Sequence, residues 1–172
     1  MAEFLADSLE VTFELVGIAS APSSIEERAE ALLGQLRRVV PFLAARIGLL
    51  DPERGAPGYD EVASAYHDSP AVLEEFELLG LDRARPPFWI RDLPVSPGEV
   101  RGCAEYLQPA GFREGLAVGL FTRDGRHLGI LGLNTDTEAH LTETARDLVG
   151  QLAPLIAYAV GPLRSIVAAA RP

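Results

Sequence analysis

One cysteine and three histidines are the side chains best suited to chemistry in this 172-residue chain, and their spacing limits what they can do. Cys103 stands alone in Arg101-Gly-Cys-Ala-Glu105, while His67, His127 and His140 are far apart in sequence. Metal sites usually gather His, Cys or carboxylate ligands at short spacings, so this scatter speaks against one. A single haem-ligating histidine stays open, because one axial ligand suffices. A free cysteine commonly behaves as a small buried hydrophobe, and a redox or hydrolytic role would require Cys103 to be exposed and acidic. The acidic runs Asp7, Glu10, Glu14 and Glu26, Glu27, Glu30 read as solvated helix faces. Paired carboxylates for acid and base work would need partners in a cleft, and nothing marks one. Glycine-rich phosphate loops and a serine elbow are absent from the sequence.

A binding role has better material. Residues 81 to 111 are irregular, with five prolines between 86 and 109, and a loop region this long inside a compact domain commonly serves as a lid or pocket wall. Around it, Phe88, Trp89, Arg91, Asp92, Tyr106, Phe112 and Arg113 combine aromatic walls with a few polar groups, the usual makeup of a small-molecule pocket. Tyr66 and Phe76 join them if the second strand and third helix border the cavity. The candidate ligand-binding set is therefore Tyr66, Phe76, Trp89, Arg91, Asp92, Tyr106, Phe112 and Arg113, with no catalytic residue and no metal ligand assigned. The plainer alternative has the aromatics closing the core and Arg91 and Asp92 capping turns.

The elements that must position these residues follow from periodicity. Phe4 to Ile18 places Leu5, Leu9, Phe13 and Val16 at helical spacing and leaves Glu3, Asp7, Glu10 and Glu14 outward. Ser23 with Glu26, or Ser24 with Glu27, offers a capping box for a second helix running to about Val39. Leu43 to Leu50 reads as a buried strand, Tyr59 to His67 as a second, and Ser69-Pro70 as the start of a helix reaching about Leu79. A short helix from Pro97 to Leu107 would relieve part of the long loop. Two apolar runs then flank Asp124-Gly125, a strong hairpin signal in which both central residues would take positive φ. That turn pairs Arg123 with Arg126, Phe121 with Leu128, Gly119 with Ile130 and Ala117 with Gly132 on one face. Leu116, Val118, Leu120, Leu131 and Leu133 lie on the other, so both faces must be covered. Thr142 caps a long final helix with an apolar stripe from Ala145 to Leu163, in which Pro154 should cause a kink.

Composition narrows the function classes. The chain fits one domain with a proper core, and 48% hydrophobic with 23% charged residues is ordinary for a soluble protein. No apolar stretch approaches a membrane span, the acidic N-terminus lacks the basic region of a secretion signal, and one cysteine cannot form an internal disulfide. A cytoplasmic location is expected. A net charge of −10, carried against fifteen dispersed arginines and no lysine, opposes direct contact with nucleic acid.

The order of these elements resembles a GAF domain. Trp89-Ile-Arg-Asp-Leu93 looks like the family's strand followed by aspartate, and the hairpin Leu116-Ala-Val-Gly-Leu-Phe with Leu128-Gly-Ile-Leu-Gly-Leu looks like its central pair. His140-Leu-Thr-Glu-Thr144 resembles the entry to its closing helix. The resemblance implies an α+β, PAS-related fold: a central antiparallel sheet with the N- and C-terminal helices on one face and loops with short helices on the other. It implies a single domain over residues 1–161, with 162–172 as a helical extension or linker. It further implies a small-molecule sensory module, of the kind that precedes a helix-turn-helix DNA-binding domain in bacterial regulators of the LuxR type. The partner expected is a second copy, joined through the N- and C-terminal helices, with no membrane contact. Some members bind cyclic nucleotides through an Asn-Lys-x-Phe-Asp-Glu-like signature that this chain lacks. Bilin-linked relatives use a cysteine with aromatic and histidine partners, and sulfoxide-reducing ones several cysteines; neither pattern is present. A small enzyme of the same fold using Cys103, and a ligand-free scaffold, are the alternatives.

Overall fold

The computed structural model describes residues 2–49, 75, 78–80, 83, 86–137, 139 and 142–161. The expected strand over 59–67, most of the helix over 69–79 and the extension over 162–172 lie outside these. Helix α1 spans Ala2–Ser20 and α2 spans Ile25–Leu36. Of the two possible capping boxes, the one at Ser24 forms: its hydroxyl accepts the Glu27 amide, and the Glu27 carboxylate accepts the Ser24 amide. In α1 the buried face differs from the expected stripe. Val11, Leu15 and Ala19 pack into the core, whereas Leu9, Phe13 and Val16 stand 59%, 69% and 47% exposed. The helix is apolar on two faces, and the chain's own core uses only one of them.

Four strands form an antiparallel sheet: β1 (Ala44–Leu49), β2 (Phe88–Trp89), β3 (Glu114–Phe121) and β4 (His127–Thr135), in the order β1-β4-β3-β2. The expected strand at Trp89-Ile-Arg-Asp is shorter than the sequence suggests, because Ile90–Asp92 turns into a 3₁₀ helix. In the hairpin, Ala117 pairs with Gly132 and Gly119 with Ile130 as expected, but Phe121 pairs with His127 instead of Leu128. The turn is the reason. Of Asp124 and Gly125, only Gly125 has a positive φ (87°); the Gly125 amide donates to the Thr122 carbonyl, and the Thr122 amide donates to the Arg126 carbonyl. This is a three-residue loop closed by a left-handed glycine, not a two-residue Asp-Gly turn. It displaces the pairing by one residue, and a bulge beside Leu120 and Phe121 restores it. Leu128 consequently joins the core with Leu116, Val118, Leu120, Leu131 and Leu133, while Phe121 stacks on His127 with ring centroids 4.8 Å apart.

The closing helix α3 spans Glu143–Val160, capped by the Thr142 hydroxyl on the Ala145 amide, and runs on through the exposed Pro154. It packs on α1, α2 and β3, and α2 packs on β1, so α2 and α3 cover one sheet face with α1 against both helices. The other face carries a second apolar cluster, where Ala44 and Ile130 meet Val100, Cys103, Leu107 and Phe112 from the segment between β2 and β3. That segment includes a π-helical turn at Cys103–Leu107, within the stretch expected to be a short helix. The fold is thus α+β, with a helical layer on one face of an antiparallel sheet and short turns on the other.

Candidate ligand-binding site

The residues singled out from sequence fall into two places. Tyr66 and Phe76 lie outside the described residues. Tyr106 and Phe112 belong to the second cluster, on the sheet face opposite the helices, with Phe88 and Ala117 beside them. Trp89, one residue from Phe88, points to the other side and is buried among the helices. Alternation along a strand requires this, so Phe88 and Trp89 cannot line one wall. The floor of the second face is shallow at its centre: the cross-strand row Phe88, Ala117, Gly132, Arg46 places two small residues between an aromatic ring and a buried guanidinium.

Arg91, Asp92 and Trp89 sit in a polar chain that ties β2 to the start of α3. The Glu114 carboxylate, 1% exposed, accepts the Gly115 amide at 2.8 Å and lies 3.2 Å from Arg91 Nη1. The Arg91 guanidinium covers the Trp89 indole at 4.4 Å, a cation–π contact. Trp89 Nε1 donates to Glu143 at 3.2 Å, and Arg146 lies 3.5 Å from Glu143 and 3.9 Å from Asp92. Burial pushes the Glu114 carboxyl above the usual range, against the pull of the Gly115 amide and Arg91. Arg113 is exposed at the head of β3.

Cys103 is buried in the second cluster, and burial pushes its thiol up to about 11, with Glu75 and Glu114 adding to the shift. A thiol held protonated is a poor nucleophile. Maleimide labelling of the native chain near neutral pH is expected to run at least about 100-fold slower than labelling of the urea-unfolded chain, from the lost thiolate fraction alone. Equal rates would return Cys103 to the list of reactive groups. Among the described residues, no three side chains of the metal-ligating types converge.

A separate hollow was not singled out from sequence. A groove of about 980 Å³ runs between α3 and the outer edge of β3, and none of the eight candidate residues lines it. It exists because β2 pairs with β3 only at Leu116 and Ala117. Before Phe88 come Pro86 and Pro87, which lack the amide needed to extend the ladder. Pro87 instead meets Gly150 of α3, where an added Cβ would lie 3.1 Å from its ring, and this contact closes one end.

Comparison with known proteins bears on the fold. No family model matches the chain, and no curated protein matches it in sequence. Solved structures do match. The GAF domain of a phosphoenolpyruvate-protein phosphotransferase from Coxiella burnetii superposes with a TM-score of 0.64 at 16% identity, covering 96% of each chain. The fold is that of a GAF domain. A bacteriophytochrome from R. palustris gives 0.64 at 14% identity over 97% of this GAF-like chain and 39% of its own. An N-acylhomoserine lactone dependent LuxR family transcription factor from Burkholderia cenocepacia gives 0.53 at 20% identity, over 97% and 99%. Among the described residues, no helix of this GAF-like chain is long and apolar enough to cross a membrane.

Proposed function

We propose that the chain is a non-catalytic sensory and dimerisation module: residues 1–161 form one domain that binds a small molecule, and 162–172 lead to an output element. The ligand sits on the sheet face away from the helices, against Tyr106 and Phe112, and Tyr66 and Phe76 complete the candidate set by sequence alone. Trp89, Arg91 and Asp92, on the helix side, couple β2 to the start of α3, and Arg113 stands at the exposed head of β3. The output is transcription, through a helix-turn-helix DNA-binding domain outside this chain, in a bacterial cytoplasm. A ligand acts by favouring one arrangement of the helices over another, with a coupling of about 1–3 kcal/mol.

The observation that carries this reading is the second apolar face of α1. Leu9, Phe13 and Val16 recur at helical spacing and face solvent, and Tyr158 on the adjoining α3 is 56% exposed. Scattered exposed apolar residues are normal, but a periodic stripe on a helix is what a partner helix covers. The partner is a second copy, whose identical stripe gives a self-complementary two-fold contact.

Phe13→Asp tests it, because the site is exposed in one chain and desolvated only in the dimer. Sedimentation velocity is expected to find the parent chain dimeric and the variant monomeric at the same concentration, the dimer constant weakening by about 100-fold or more. A variant that sediments like the parent contradicts the helix-mediated dimer.

A further inference from the structure

We propose that the groove between α3 and the edge of β3 is a second binding site, for an elongated amphiphile with an apolar body and an anionic head. The ligand of the sensory reading occupies the opposite sheet face, but the groove shares Tyr158 with the proposed dimer surface, so the oligomeric state is read alongside binding. Size and lining come first. A hollow of about 980 Å³ lies at the upper end of the range for small-molecule sites. Its apolar lining comes from Val118 and Phe121 of β3 and from Ala153, Pro154, Ala157 and Tyr158 of α3. From Gly150 to Gly161, both in the lining, the chain advances about 16 Å at 1.5 Å per residue, so the groove is elongated along α3.

The polar groups are not evenly spread. Arg123 and Arg126 line the end formed by the hairpin, beside Thr122. Both are exposed, and the described residues place no carboxylate within ion-pair distance of either. Asp124, between them in sequence, is held by the Thr122 hydroxyl and by its own backbone amide, with the Arg126 charge as a weaker influence, so Arg126 keeps most of its field for a bound anion. Asp147 lies toward the opposite end, three residues before the Gly150 contact with Pro87. A carboxylate or phosphate head therefore belongs at the hairpin, where two guanidinium groups can hold it. Its apolar tail then lies along α3 toward the prolines, away from the repulsion of Asp147.

Isothermal titration with dodecanoate and dodecylamine, both below their critical micelle concentrations, tests this. The chain's net charge of −10 favours the amine on general grounds, so preference for the acid isolates the arginine end. Dodecanoate is expected to bind at least about tenfold tighter than dodecylamine. Arg123→Ser with Arg126→Ser should remove that preference, chiefly by weakening dodecanoate. Gln151→Trp, at an exposed position on the groove wall, should abolish binding of both while the melting temperature holds. Absence of dodecanoate binding to the parent chain, equal or tighter binding of the amine, or parent-like affinity in the double arginine variant would overturn the proposal. A Gln151→Trp chain that binds both probes as before also overturns it. So does one that changes oligomeric state, because the groove would then be an interface between copies.

Discussion

Gly129→Ala is expected to cost more than about 3 kcal/mol of folding free energy, the range of backbone strain and core disruption combined, and to detach β1 from the sheet. A Cβ at position 129 would stand 1.9 Å from the Gly48 carbonyl oxygen and 2.9 Å from both Gly48 C and Leu49 Cα. All three are backbone atoms, so no side-chain rotation relieves the clash. The bulge that restores the hairpin register lies next to Gly129, which pairs with Leu49 on one side and Leu120 on the other. Gly48→Ala is the control, because its Cβ would meet only the Ile130 side chain at an ordinary 3.5 Å. Urea denaturation should place Gly48→Ala within about 1 kcal/mol of the parent and Gly129→Ala far below it. Equal effects would show that the tight β1–β4 approach is not what holds the strand.

The second large effect is expected at Arg28, 2% exposed on α2. Its Nε donates to the Ala159 carbonyl at 2.7 Å, and its Nη1 donates to the Ser23 carbonyl. Ala159 sits in the last turn of α3, where carbonyls lack helical donors and a cation is favoured. Arg28 thereby clamps the C-terminal end of α3 to the loop before α2. Arg28→Ala leaves a buried carbonyl without this donor and opens a cavity, so a loss of about 3 kcal/mol is expected, on the scale of charged hydrogen bonds removed from one side. Arg28→Lys should recover only part, since an ammonium lacks the planar fork that spans both carbonyls. Hydrogen exchange should rise first at residues 157–161. If Arg28→Ala is as stable as the parent, with unchanged exchange there, the clamp does not fix the end of the helix through which a signal would leave.

How far the fold could be read in advance depended on local chemistry. Ser24 with Glu27, Thr142 before the final helix, and apolar runs around a glycine turn each specify structure within a few residues, and each formed. The hairpin's inner register was correct although the turn was not, because the three-residue loop and the bulge shift the pairing in opposite senses. Placement of Leu128 failed for the same reason. For α1, periodicity identified an apolar face truthfully but not its destination: a helix with two such faces gives no sign of which one its own chain covers. The candidate site was harder still. Phe88 and Trp89 were grouped by proximity in sequence, and strand alternation was the signal that would have separated them. The groove depends on Pro86 and Pro87 lying beside β3, a neighbour relation no local pattern carries. The Glu114–Arg91–Trp89–Glu143 chain likewise joins residues from four elements.

A dimeric module that holds a small molecule shows both properties at once in native mass spectrometry of the purified chain. The expected mass is that of two chains plus an added non-covalent mass that is lost on denaturation. A single chain at its bare sequence mass, across concentrations where the parent should pair, would contradict it.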